Sequence, residues 1–302
     1  VVTRFADGRG GIDTELARRL IKAQFPQWAD LPVTPVEFDG WDNRTFRLGD
    51  DKSIRIPSAA GYAAAVEKED RWLPRLASGL PVPIPEPVGL GRPTEDYPHH
   101  WSVRRWLDGE TASPATVRDQ APFADDLARF LLALQAIDPT DGPAAGDHCA
   151  HRGAPPVHYD DETREALRML RGRVDTEAAE RVWEAALAAP ASGPAVWFHG
   201  DVSVGNLLVR DGRLAAVIDF GTCGVGDPAC DLVIAWTFLS GAGRRVFRQG
   251  IDQDHGTWAR ARGWAIWKAL IVLARVIDSD PEQAAKFQRE ITEVIDDHRE
   301  FG

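Results

Sequence analysis

Three side chains in the last third of the chain combine the oxygen chemistry that grips a hard cation. Asp201 is followed five residues later by Asn206, and Asp219 comes thirteen after that. Two carboxylates and an amide oxygen suit magnesium, which proteins hold with one or two carboxylates plus the phosphates of a substrate. Asn206 and Asp219 flank two short apolar runs, 206–209 and 214–218, separated by Asp211-Gly212. An Asp-Gly pair between apolar runs predicts a β-hairpin, because both residues tolerate positive φ. Folding it should set Asn206 and Asp219 side by side, with Asp201 reaching over from the preceding loop.

The rest of the chain must position this trio. Residues 12–25 carry Leu16, Leu20 and Ile21 at helical spacing, with Asp13 near the start and Pro26 after the end. Three β-like runs follow, 33–38, 45–48 and 53–56, read as an antiparallel meander. Gly40 and Asn43 lie in the first connection, Gly40-Trp41-Asp42-Asn43, which is either a plain turn or a backbone cover for phosphates. On the third run, alternation points Arg55 away from Ile54 and Ile56, toward a phosphate or toward solvent. A helix is expected over 59–77, then a stiff proline-rich connector over 80–87, then strands at 88–90 and 101–106. The lobe boundary is placed at the Leu107-Asp108-Gly109-Glu110 break, giving regions 1–106 and 107–302. An extended hinge there offers backbone donors and acceptors to the edge of a purine.

Beyond the boundary, Ser113-Pro114 reads as a helix start. Helices follow at 123–137, 161–171, 176–188, 231–239, 246–251, 258–277 and 281–299, with a long loop over 138–158. His148, Cys149, His151 and His158 in that loop match no common zinc spacing. Strands first and helices after, without β-α alternation, predict an α+β chain in two lobes.

Composition narrows the function classes. A formal charge of -11 argues against nucleic acid or an anionic membrane as partner. Arg260, Arg262, Lys268 and Arg275 interrupt the most apolar long segment, so 258–277 is expected to be a buried helix with snorkelling charges rather than a membrane span. Three scattered cysteines and no evident secretory leader fit a cytoplasmic setting.

The order Asp201, Asn206, then Asp219-Phe220-Gly221 is similar to the catalytic loop and metal-binding Asp of protein kinases. The chain more specifically resembles the aminoglycoside phosphotransferase family, a branch of the protein-kinase-like fold. The residues that carry the likeness are His199-Gly200-Asp201, Asn206, Ile218-Asp219, Gly226-Asp227-Pro228 and Asp231-Leu232, all in family order. Upstream, GWDNRTFRLG, SIRIP and WSVRRWLDGE add to it. The resemblance implies an N-terminal lobe of antiparallel sheet plus helix that binds nucleotide, and a mainly helical C-terminal lobe with the catalytic loop and acceptor site. It implies transfer of the γ-phosphate of ATP or GTP to a hydroxyl of a small molecule, cationic if an aminoglycoside.

In that reading Asp201 orients or deprotonates the hydroxyl, and Asn206 and Asp219 hold Mg2+. Arg55 stands where the family has a strand lysine and should pair with Glu69, favoured over Glu67, on the following helix. Gly40, Asn43, Arg104 and Trp106 complete the candidate nucleotide contacts. Asp227 and Asp231 are expected to brace the loop. Two departures stand out: Arg55 itself, a broader planar cation than lysine, and Val202-Ser203-Val204-Gly205, where many members carry His-Pro before the glycine. A metabolic kinase for an amino alcohol or sugar would use the same motifs. A nucleotide-binding module without turnover should lack one of the trio, and none is missing. No H-R-D precedes and no A-P-E follows the D-F-G, which argues against a protein kinase.

Overall fold

The computed structural model describes residues 11–37, 40, 42–191 and 193–302. Phe38, at the end of the first expected strand, and Trp41, in the candidate phosphate-covering turn, lie outside the described residues. The chain divides into two compact units. One runs up to Gly109 and also takes in Ala215–Gly221; the other comprises Glu110–Leu214 and Thr222–Gly302.

The first unit is built on an antiparallel sheet. Helix α1 (Thr14–Gln24) is capped by the Asp13 carboxylate, which accepts from the Leu16 N–H at 2.8 Å. Strands β1 (Val33–Pro35), β2 (Asn43–Leu48) and β3 (Lys52–Pro57) follow, then α2 (Ala60–Ala77), β4 (Pro87–Gly91) and β5 (Trp101–Arg105). The sheet order is β1-β2-β3-β5-β4, so the last hairpin folds back to put β5, not β4, beside β3.

Alternation along the strands separates two faces. Phe46, Leu48, Ile54, Ile56, Trp101 and Val103 form one core with Leu16, Leu20 and Ile21 of α1. The opposite face carries Arg55, paired in register with Thr45 and Ser102, and Arg104, paired with Ser53. This polar face is where charged chemistry is concentrated.

The second unit is mainly helical. Short strand β6 (Glu110–Thr111) precedes α3 (Gln120–Gln135), α4 (Asp160–Met169) and α5 (Thr176–Ala188). Then come β7 (Val196–Phe198), β8 (Leu207–Arg210), β9 (Arg213–Val217, whose last three residues are counted in the first unit) and β10 (Gly224–Gly226). Helices α6 (Ile234–Thr237), α7 (Gly241–Ile251), α8 (His255–Val276) and α9 (Pro281–Phe301) close the chain. The expected hairpin is present as β8 and β9 in a small sheet of order β6-β8-β9. Its turn uses positive φ at both Asp211 (52°) and Gly212 (74°), the geometry that matches strand twist.

Three expectations for this unit are corrected. Ser113-Pro114 opens no helix. Hydroxyl bonds within the segment, such as Thr116 N–H to Ser113 Oγ at 3.2 Å, hold it as a turn, and α3 starts after Asp119. Residues 231–239 are a 3-10 turn, Pro228–Val233, running into the single-turn α6. Two of the four cations of the apolar helix do not snorkel. Arg260 and Arg262 are buried in α8 and paired with Asp227 and Asp297, because a charge out of water persists only with a partner.

Candidate active site

In the second unit, the loop between β7 and β8 presents Asp201. The buried carboxylate of Asp231 accepts two backbone bonds from the loop, His199 N–H and Gly200 N–H, both at 2.7 Å. Burial pushes the Asp231 carboxyl up, opposed by His199 and by these N–H donors. Gly200 adopts φ +86°, and a Cβ there would lie 2.6 Å from the Thr222 carbonyl oxygen, so only glycine fits this bend. His199 is fully buried and its Nδ1 accepts the Asp201 N–H at 3.2 Å, which leaves it a brace rather than a base. Asp227 caps the Pro228–Val233 turn and pairs with Arg260 at 2.6 Å, tying that turn to α8.

On this frame Asp201 is exposed. The Asn206 side-chain amide donates to Asp201 Oδ2 at 2.8 Å and to its backbone carbonyl at 3.0 Å. The two residues expected to work together are therefore in direct contact. The amide N–H end of Asn206 is spent on Asp201, and its oxygen end remains the donor suited to a cation.

In the first unit, Asp219 sits at φ +65°, in the left-handed region that Asp adopts more readily than most residues with a side chain. Arg55 donates to its Oδ1 at 3.2 Å. Lys68 of α2 donates to the Gly221 carbonyl at 2.7 Å, and Val217 N–H bonds Pro83 O at 3.2 Å, so the D-F-G segment is tied to this unit. Burial works against the Arg55 charge, and the carboxylates of Asp219 and Glu69 outweigh it, leaving the guanidinium above its ordinary pKa.

The ion-pair pattern differs from the expected one at Glu69. Its two oxygens receive Arg104 NH1 and NH2 at 2.8 and 2.7 Å, and Arg104 Nε donates to Ser102 Oγ at 3.0 Å. Both residues are at most 3% exposed. Burial raises the Glu69 carboxyl, but the Arg104 charge and hydrogen bonds override it and hold it below the ordinary value. Arg104 thus faces α2 and is no surface for a base or phosphate. The sequence signal was its alternation with Val103, which puts it on the face of Arg55.

Glu67, the rejected alternative, is exposed and pairs with His100. Trp106 is half-buried under the Arg47 guanidinium, 4.0 Å from its ring centre, and its backbone N–H donates to the Asp51 carbonyl at 2.8 Å. Asn43 opens β2 opposite Pro57. Gly40 is exposed, and among the described residues the Asn43 carbonyl oxygen lies 3.8 Å from a notional Cβ there. Among the described residues, no group of three or more His, Cys, Asp or Glu side chains could hold a metal ion.

The sequence profile of the phosphotransferase enzyme family, APH, matches residues 33–264. The chain belongs to this family. An aminoglycoside 3'-phosphotransferase from Escherichia coli is 38% identical over 191 residues, covering 57% of this chain and 65% of the relative. Another from Escherichia coli is 30% identical over 152 residues, covering 46% and 52%. The chain thus matches between half and two thirds of the length of these curated relatives.

The solved GDP complex of aminoglycoside 2'-phosphotransferase-IIIa has a similar fold, with TM-score 0.69 at 18% identity, covering 95% of this chain and 99% of that one. Macrolide 2'-phosphotransferase MphH from Brachybacterium faecium gives TM-score 0.59 at 22% identity, covering 93% and 97%. The phosphotransferase fold here is the α+β, kinase-like one, with a sheet-based unit and a mainly helical unit.

Proposed function

We propose that the chain is a small-molecule kinase that transfers the γ-phosphate of ATP or GTP to a hydroxyl of an aminoglycoside or similar antibiotic. The observation that carries this is Asp201: exposed, anchored through its loop to buried Asp231, with Oδ2 held by Asn206. Such a carboxylate is placed to receive a proton while one of its oxygens stays fixed. In the step proposed, the acceptor oxygen forms a bond to the γ-phosphorus as its proton passes to Asp201. The bond from phosphorus to the β–γ bridging oxygen breaks, and its electron pair leaves with the nucleoside diphosphate.

Asn206 and Asp219 are the proposed magnesium ligands, which fits a hard-oxygen donor set with the amide oxygen of Asn206 left over from its bond to Asp201. Magnesium, when bound, neutralises charge on the phosphates. Arg55 adds a second positive charge for them, and Gly40 and Asn43 offer backbone and amide groups. Trp106, beside the hinge, is the remaining candidate for the base. The curated relatives favour an antibiotic acceptor over an amino alcohol or sugar. Dependence on nucleoside triphosphate and magnesium fits a cytoplasmic enzyme. No helix among the described residues is long and apolar enough to cross a membrane.

The test is a panel of hydroxylated antibiotics and metabolites assayed for nucleotide consumption with wild type and Asp201→Ala. The variant should turn over at least about a hundredfold more slowly, the scale of a lost general base, while binding nucleotide within about threefold of wild type. Undiminished turnover would remove Asp201 from the mechanism. Asp219→Ala should raise the magnesium concentration needed for half-maximal rate; an unchanged metal titration removes Asp219 from the ligand set.

A further inference from the structure

Four charges lie in a row on the polar face of the first unit: Arg104, Glu69, Arg55 and Asp219. The links are unequal. Arg104 and Glu69 make a bidentate pair, at 2.8 and 2.7 Å, with both groups almost fully buried and the third guanidinium nitrogen satisfied by Ser102. Arg55 and Asp219 share a single 3.2 Å bond, and their side chains are 15% and 38% exposed. Arg55 meets Glu69 only through charge, not through a hydrogen bond.

A fork-on-fork pair is the stronger and more rigid arrangement. Breaking it would leave a charge buried without a partner, whereas the outer bond can open toward water or a ligand.

We propose that Arg104 is a positioning residue: by saturating Glu69 it keeps Arg55 from being captured on α2, so that Arg55 is free to pass from Asp219 to the phosphates of a bound nucleotide. This rests on the kinase reading above. In the absence of nucleotide, Arg55 neutralises Asp219. When phosphates enter, the guanidinium transfers to them. Without Arg104, Glu69 becomes a buried, unsatisfied carboxylate whose charge already acts on Arg55, and it draws the guanidinium toward α2.

The test compares Arg104→Leu with the double variant Glu69→Leu/Arg104→Leu, measuring Mg-ADP and Mg-GDP binding by calorimetry alongside thermal unfolding. The single variant should weaken nucleotide binding about tenfold or more, the scale of one charge-assisted hydrogen bond to a ligand. The double variant removes the competitor as well as the buried charge and should recover most of that deficit. It also keeps the test alive if the single variant fails to fold, since an apolar pair of similar volume commonly replaces a buried ion pair without loss of stability.

Recovery in the double variant supports the relay. If the wild type binds nucleotide and the double variant stays as weak as, or weaker than, the single one, the relay is overturned while the kinase reading stands. A wild-type chain that binds neither nucleotide overturns both.

Discussion

Asp201 and Arg55 are each set by neighbouring side chains. Asp201 is held by Asn206 and its loop is braced through Asp231; Arg104 occupies both oxygens of Glu69, and Arg55 bonds Asp219 instead. The identities of Asp201, Asn206 and Asp219 could be read from motif spacing, because each must appear at a fixed distance along the chain. The partner of Glu69 could not, because it depends on the register of β3 and β5, which are separated by a helix and a strand.

Glu290 shows the same limit away from the site. On sequence it belongs to an acidic closing helix; in the fold it is 8% exposed, and burial pushes its carboxyl from 4.5 up to about 6. The folded protein therefore binds this proton more tightly than the unfolded chain. The stability it supports is fully present below pH 4.5 and is lost as pH rises through about 6. Glu290→Gln should remove that slope and stabilise the protein by about 2 kcal/mol at pH 7, read from denaturant unfolding at a series of pH values. An unchanged slope would refute the assignment.

At the scale of elements, the loop from His199 to Asn206 is held from outside itself. Asp231 lies thirty-two residues after His199 and supplies both acceptor oxygens for its backbone. Asp231→Ala would strand two buried N–H groups and should cost about 3 kcal/mol in unfolding free energy, with the rate falling at temperatures where the fold is still intact. Wild-type stability in that variant would show that the loop holds itself.

Elements with a strong local signal were legible: the Asp211-Gly212 hairpin, the Asp13-capped α1, and α5 over residues 176–188. At Ser113 the failure is local: hydroxyls of Ser113 and Thr116 bond nearby backbone groups and hold a turn in place of a helix start. Around Asp231 it is tertiary, because the carboxylate is committed to backbone N–H groups more than thirty residues away.

At the scale of the whole molecule, the excess of 46 acidic over 35 basic residues gives an acidic field. If the acceptor is a polycation, this field should aid its capture. Its kcat/KM should then fall several-fold between about 50 and 200 mM salt, as screening shortens the field, while that for an uncharged acceptor stays level. Salt independence for the polycation would argue against steering.

The first unit ends at Gly109, where the chain turns from strands to helices, and it takes back Ala215–Gly221, a return that nothing in a linear reading marks.

The central claim is phosphoryl transfer through Asp201, and the direct measurement is mass spectrometry of the acceptor after incubation with wild type or Asp201→Ala, magnesium and ATP or GTP. Wild type should yield an aminoglycoside carrying one added phosphoryl group, and the variant none above background. An acceptor phosphorylated equally by both proteins, or by neither across the antibiotic panel, contradicts the claim.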